Sequence, residues 1–132
     1  MPSIFTRIVQ GEIPCHKIAE TEDFIAFLDI HPLVKGHTLV IPKKEVDYIF
    51  DLDEETLANL FVFAQKVARA IKAAIACNRV GISVIGLEVP HAHVHLVPIN
   101  TMDDMNFANK KLELSADTLA NIAAQISRFV QS

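Results

Sequence analysis

Apolar residues recur along the chain with two different periods, and each period marks a kind of element. Ile4, Phe5, Ile8 and Val9 fall at helical spacing and are stopped by Gly11 and Pro14, which predicts a short amphipathic helix over about residues 3–10. Lys17-Ile18-Ala19-Glu20 and the apolar run from Phe24 to Asp29 read as two strands joined by the polar turn Thr21-Glu22-Asp23. A third strand runs from His37 to Ile41 and stops at Pro42. Leu57, Leu60, Phe61, Ala64, Val67, Ala68, Ile71, Ala74 and Ile75 then trace one face of a long helix that Asp51 or Asp53 can cap and that ends near residue 77. Phe63 and Ala70 widen its stripe, which leaves room for a second contact such as a subunit interface. Val80 to Ile85 is a fourth strand, and the short link Gly86-Leu87-Glu88-Val89-Pro90 makes it an antiparallel neighbour of a fifth. Residues 100–114 are polar and irregular. Ser115 caps a last amphipathic helix carrying Leu119, Ile122, Ala123, Ile126, Phe129 and Val130.

The fifth strand carries the most unusual chemistry. In His91-Ala92-His93-Val94-His95, successive side chains of a strand alternate, so three imidazoles share one face while Ala92, Val94 and Leu96 share the other. At a rise of about 3.3 Å per residue, alternate rings start about 7 Å apart and the outer pair about 13 Å apart. Two such rings can reach one zinc ion, but three on a straight strand cannot, because zinc holds its ligand nitrogens at about 2.0–2.1 Å. A row of imidazoles is better suited to a linear substrate, one ring attacking while its neighbours hydrogen-bond the developing charge. With an ordinary pKa near 6.5, a neutral ring is available at pH 7 without a separate base. For a phosphate ester or anhydride this is workable chemistry. Packing alone is the competing account of such a row.

Composition narrows the possibilities. The 132 residues form one domain, 51% apolar and 21% charged, with no apolar run near the roughly 20 residues of a membrane helix. The N-terminal residues lack the basic flank and long apolar core of a signal peptide, so the expected compartment is the cytoplasm. A net charge of −4 without a Lys/Arg stripe argues against a nucleic-acid polymer as partner. Cys15 and Cys77 form no C-x-x-C pair, and four glycines build neither a Walker loop nor a G-x-G-x-x-G turn. Asp29, at the end of an apolar strand, can cap a turn or take the hydrogen bonds of a sugar diol, and the residues alone favour the turn. Lys43 and Lys44 read as two solvated charges.

Taken together, the chain resembles the histidine triad (HIT) family. The resemblance rests on the histidine strand, the Ile-Phe start, Gly11-Glu12-Ile13-Pro14, Phe27-Leu28-Asp29-Ile30 and Gly36-His37-Thr38-Leu39-Val40-Ile41-Pro42-Lys43-Lys44, in family order over about residues 3–98. It implies an α+β fold: a five-stranded antiparallel sheet with one main helix packed on it, a short N-terminal helix and a C-terminal helix in the tail from residue 99. It also implies a homodimer whose interface is mostly the main helix and the fourth strand.

The activity implied is hydrolysis or transfer at the α-phosphorus of a nucleoside monophosphate ester, amide or anhydride, with a substrate of adenosine type, proceeding through a nucleotidyl-histidine. His93 would attack, His95 would donate to a phosphate oxygen, and His91 and His37 would orient the rings. Asp29 would take the ribose hydroxyls, and Ile4, Phe5, Ile8, Phe27 and Ile30 would form the slot for the base. Dinucleoside polyphosphate hydrolysis is the alternative reaction, and a nucleotide-binding scaffold with weak catalysis the alternative of another class.

Two departures accompany the match. Many bacterial members bind zinc through cysteines flanking the Ile-Phe, where this chain has Ser3 and Thr6, so no metal and no other cofactor is expected. The family commonly has an Asn and a longer glycine-rich loop ending in Gly-Gln-Ser before the triad. Here Leu87 stands for the Gln and Glu88 for the Ser. A carboxylate there opposes a phosphate unless it points away, is protonated, or gives a proton to the leaving group.

Overall fold

The computed structural model describes residues 2–130. The chain runs α1 (Ile4–Val9), β1 (Lys17–Glu20), β2 (Phe24–Leu28), β3 (Thr38–Pro42), α2 (Glu54–Ala74), β4 (Arg79–Ser83), β5 (Val94–Ile99) and α3 (Ala116–Ser127), with 3-10 turns at Ile49–Asp51 and Met102–Met105. The five strands form one antiparallel sheet in the order β1-β2-β3-β5-β4. The expected α+β architecture is present. No helix among the described residues is long and apolar enough to cross a membrane.

The pleat divides the apolar residues between two cores. Phe24, Ala26, Leu28, Val40, Val94 and Leu96 pack against α2 and α3, while Ile25, Phe27, Leu39 and Ile41 pack against Phe5, Ile8 and Val9 of α1. Because both faces of β2 and β3 are covered, these strands are continuous apolar runs rather than alternating ones. The widened stripe of α2 finds its second contact within the chain. Phe63 and Ala70 are buried in the same cluster as Leu119, Ile122, Ala123 and Ile126 of α3, and Gln125 donates from Nε2 to the Ala74 carbonyl at the end of α2 (3.0 Å).

Helix starts follow the caps. Asp53 accepts the Thr56 N–H for α2, and Ser115 accepts the Thr118 N–H for α3. Several strand limits differ from expectation. β2 ends at Leu28, so Asp29 and Ile30 lie beyond it, and β3 begins at Thr38, one residue after His37, and runs through Pro42. β4 stops at Ser83, and β5 starts only at Val94, because Ala92 N–H donates to the Val46 carbonyl (2.7 Å) and His91 N–H to the Val89 carbonyl (2.8 Å) instead of to a neighbouring strand. His91 and His93 therefore precede the strand. Lys43 is not simply solvated: its ammonium lies 2.7 Å from Glu20 and ties the end of β3 to β1.

Candidate active site

Two segments without sheet pairing deliver most of the site. His37 sits at the entrance to β3, fully buried, and the lead-in to β5 carries His91 and His93. His95 lies within β5, opposite Leu39 on one side and Ser83 on the other. The His93 and His95 rings are 5.0 Å apart centroid to centroid, and those of His37 and His95 5.2 Å. His91 lies behind them rather than beside them, under α1. Its ring meets the edge of Phe5 at 5.8 Å, and Phe5 also meets His93 at 5.0 Å.

The hydrogen bonds order the protons of all four rings. Leu33 N–H donates to His37 Nδ1 (3.0 Å), so the proton of neutral His37 is on Nε2 and goes to His95 Nδ1 (2.9 Å). His95 then carries its own proton on Nε2. His91 Nε2 donates to the Pro42 carbonyl (2.8 Å), which leaves its Nδ1 to accept the Ser3 hydroxyl (2.8 Å). His93 Nδ1 donates to the His91 carbonyl (2.7 Å), so His93 Nε2 keeps a free lone pair. Thus one ring presents a lone pair and its neighbour an N–H, which is what nucleophile and anion donor respectively require.

Burial keeps the supporting rings neutral. His37 is pushed down to about 3, by burial first and then by His95 and Lys111, and His95 to about 4, by burial and then by His93. Burial also lowers His91. Asp29 is raised, again chiefly by burial. One of its oxygens accepts the His31 N–H (2.9 Å), while the other lies 3.7 Å from His37 Nε2, with no ion pair because His37 is neutral. Asp29 therefore caps the turn with one oxygen and keeps the other at the cleft.

A cleft of about 610 Å³ opens on these groups. Its walls include Ile4, Phe5, Phe27, Ile30, Asp29, His37, His93, His95 and Glu88, but not Ile8, which faces the buried cluster beneath α1, and not His91. Glu88 is exposed at the rim, next to Leu87, which projects almost wholly into solvent.

The tail supplies two wall residues that its irregular sequence did not announce. After the turn at Met102–Met105, Leu112 N–H donates to the Pro32 carbonyl (2.9 Å) and brings residues 107–111 back over the triad. The Phe107 ring meets His95 at 4.8 Å and His37 at 6.1 Å, edge on in both cases, and Lys111 lines the cleft beyond it. Lys111 holds this bend by donating to the Phe107 and Asn109 carbonyls.

One grouping among the described residues could offer three metal ligands: Asp29, His37 and His95, with ligand atoms within 4.8 Å of one another. Its donor chemistry does not fit an ion. His37 Nδ1 accepts a buried N–H and His37 Nε2 bears the proton, so no lone pair is free without breaking a buried hydrogen bond.

The chain is similar to known proteins in both sequence and fold. The chain is 41% identical over 101 residues to the adenosine 5'-monophosphoramidase of Schizosaccharomyces pombe, covering 74% of each chain. The crystal structure of a HIT-like protein from Bartonella henselae superposes with a TM-score of 0.83 at 31% identity, covering 96% of this chain and 95% of that one. A zinc-bound histidine triad family protein from Mycobacterium smegmatis superposes with a TM-score of 0.79 at 30% identity, covering 95% and 93%. Residues 10–102 match the model of the HIT domain, and the chain belongs to the HIT family.

Proposed function

We propose that the protein cleaves nucleoside monophosphate conjugates at the α-phosphorus, with nucleoside phosphoramidates of adenosine type as its substrates. The observation that carries this reading is the tautomer of His93: its Nδ1–H is held by the His91 carbonyl, and its Nε2 lone pair is free. Attack forms an Nε2–phosphorus bond as the bond from phosphorus to the leaving amine breaks, the amine nitrogen keeping the electron pair and taking a proton from solvent. The ring becomes positively charged, and the carbonyl dipole at Nδ1 stabilises that charge. His95 Nε2–H hydrogen-bonds the phosphoryl oxygens. Water then releases the nucleoside monophosphate and returns His93 to its neutral form.

Asp29, with one oxygen at the cleft, is assigned the ribose hydroxyls, and Ile4, Phe5, Phe27 and Ile30 the base, in keeping with apolar walls bearing a few convergent polar groups. The activity of the fission-yeast relative supports the choice of phosphoramidate. A homodimer is part of the proposal. Phe61 and Val62 of α2, Ile82 of β4 and Ile85 just beyond it are exposed, and a second apolar hollow of about 530 Å³ lies between α2 and the turn at Ile49–Asp51.

The test is release of AMP from a lysine phosphoramidate of AMP, compared with turnover of diadenosine polyphosphates. Faster release from the phosphoramidate is expected. Preference for the polyphosphates would move the assignment to dinucleoside polyphosphate hydrolysis, and binding of AMP without turnover of either would leave a nucleotide-binding scaffold.

A further inference from the structure

Outside the cleft, four polar side chains from three parts of the chain converge at the start of α1. Glu45 Oε1 accepts both the Ser3 N–H and the Thr6 hydroxyl, each at 2.6 Å. Ser3 Oγ accepts the Thr6 N–H (3.0 Å) as the cap of α1 and lies 2.8 Å from His91 Nδ1, with the Thr6 hydroxyl 3.3 Å from the same nitrogen. Thr6 O–H goes to the carboxylate, and His91 uses its only ring proton on the Pro42 carbonyl, so Ser3 O–H donates to His91 Nδ1 at 2.8 Å, the shorter of its two acceptors, with Thr6 Oγ1 at 3.3 Å. The two hydrogen bonds hold the Glu45 carboxyl down to about 2 although the side chain is exposed, Thr6 contributing most.

The residue after Glu45 acts on the same segment. Val46 presents its carbonyl to Ala92 N–H (2.7 Å), so Glu45-Val46 grips α1 with a side chain and the approach to β5 with its backbone. The segment so held carries the His91 carbonyl that fixes the His93 proton. Phe5, on the first turn of α1, lies against both rings. Base slot and nucleophile thus meet at one polar joint.

We propose that Glu45, acting through Ser3 and Thr6, is a positioning residue for the nucleophile: a hydrogen-bonded clamp that locks His91 in its Nε2–H form and sets the geometry at His93. It touches no reacting atom. Without the Ser3 hydroxyl, the one hydroxyl left near His91 Nδ1 is that of Thr6 at 3.3 Å, whose proton goes to Glu45, so the ring must turn, change tautomer or draw Thr6 away from the carboxylate. The bond to Pro42 and the position of the His91 carbonyl then change together. This extends the reaction assigned above, but the proton positions can be read whether or not that reaction occurs.

The experiment combines two-bond 1H–15N correlation spectra of the imidazoles with steady-state hydrolysis of the AMP–lysine phosphoramidate, in wild type and in Ser3→Ala, Glu45→Leu and Glu45→Gln variants. Wild type should show His91 as the Nε2–H tautomer and His93 as Nδ1–H. Ser3→Ala and Glu45→Leu should give mixed tautomers at both rings and lower kcat by about tenfold or more, as misplacement of a reacting group does. Glu45→Gln, whose amide oxygen still accepts both hydrogen bonds, should restore the wild-type tautomers and most of kcat. If Glu45→Leu fails to fold, Ser3→Ala decides, since it removes a single hydroxyl. Unchanged tautomers at His91 and His93 in a folded Ser3→Ala or Glu45→Leu protein would overturn the clamp. Normal tautomers in a wild type without turnover would overturn only the assigned reaction.

Discussion

His37 Nε2 lies 2.9 Å from His95 Nδ1, and the Leu33 N–H on the far side of His37 sets the direction of that bond. A backbone amide on the loop before β3 thereby decides which nitrogen of His95 faces the cleft as a donor. His37→Ala should leave His95 free to take either tautomer and lower kcat by about tenfold or more, short of the roughly 10²–10³ loss seen when an anion donor is removed outright. It also leaves the Leu33 N–H without a partner, a further cost of about 1–3 kcal/mol. Kinetics and urea melts on the one variant check both effects. A variant with wild-type kcat would remove His37 from the relay.

Acid should destabilise the fold before most carboxylates titrate. His37 and His95 are held at about 3 and about 4, and His91 is also lowered, all by burial. As pH falls below the ordinary imidazole value of about 6.5, the unfolded chain takes up protons that the folded chain refuses, so stability falls from there down through about 4 and about 3. Glu45, held at about 2, adds a loss in the same direction at lower pH, while Asp29, raised by burial, acts against it. Urea midpoints measured between pH 7.5 and pH 5 should decline steadily, and less steeply in His95→Asn. A flat profile would contradict neutral, buried rings.

One substitution separates the turn that Asp29 caps from the ribose contact proposed for it. In Asp29→Asn the side-chain oxygen can still accept the His31 N–H, while the charge offered to a sugar diol is gone. Stability should stay within about 0.5 kcal/mol of wild type, and KM for the phosphoramidate should rise several-fold with little change in kcat. An unchanged KM would confine Asp29 to the turn.

Phe107 meets both rings of the His37–His95 pair edge on from a half-buried position in the cleft wall. Phe107→Ala should cost about 1–2 kcal/mol, below the 3–5 of a fully buried phenylalanine, and should lower kcat by admitting water to the relay. Thermal melts and kinetics on that variant read the two effects separately. If kcat is unaffected, the tail is packing only.

How far the sequence anticipated this structure depended on the reach of each interaction. β1 begins and ends where its polar flanks put it, and Asp53 and Ser115 start their helices, because strands and caps are decided by neighbouring residues. Asp29, His37, His93 and His95 were legible from motif order, and the cleft brings them together. His91 read as one rung of a ladder, but it sits behind the row because its amide and that of Ala92 pair with carbonyls outside the sheet. Ile8 shares the helical spacing of Ile4 and Phe5 yet packs against the cluster beneath α1 instead of lining the cleft. Phe107, Lys111 and Glu45 gave no periodic signal. Glu45 meets Ser3 across 42 residues and Phe107 meets His37 from the far end of the tail, approaches that only the folded topology brings about, and Lys111 reaches the cleft through the bend it holds.

The proposed reaction turns on a bond between the His93 Nε2 lone pair and phosphorus. Brief incubation with an adenylated substrate, quenching under conditions that preserve phosphoramidates, and mass analysis of the peptide containing His93 test it directly. One AMP adduct is expected on His93, formed and lost at the rate of turnover and absent in His93→Ala, which should still bind nucleotide. Undiminished turnover in His93→Ala, or an adduct on a different residue, would contradict it.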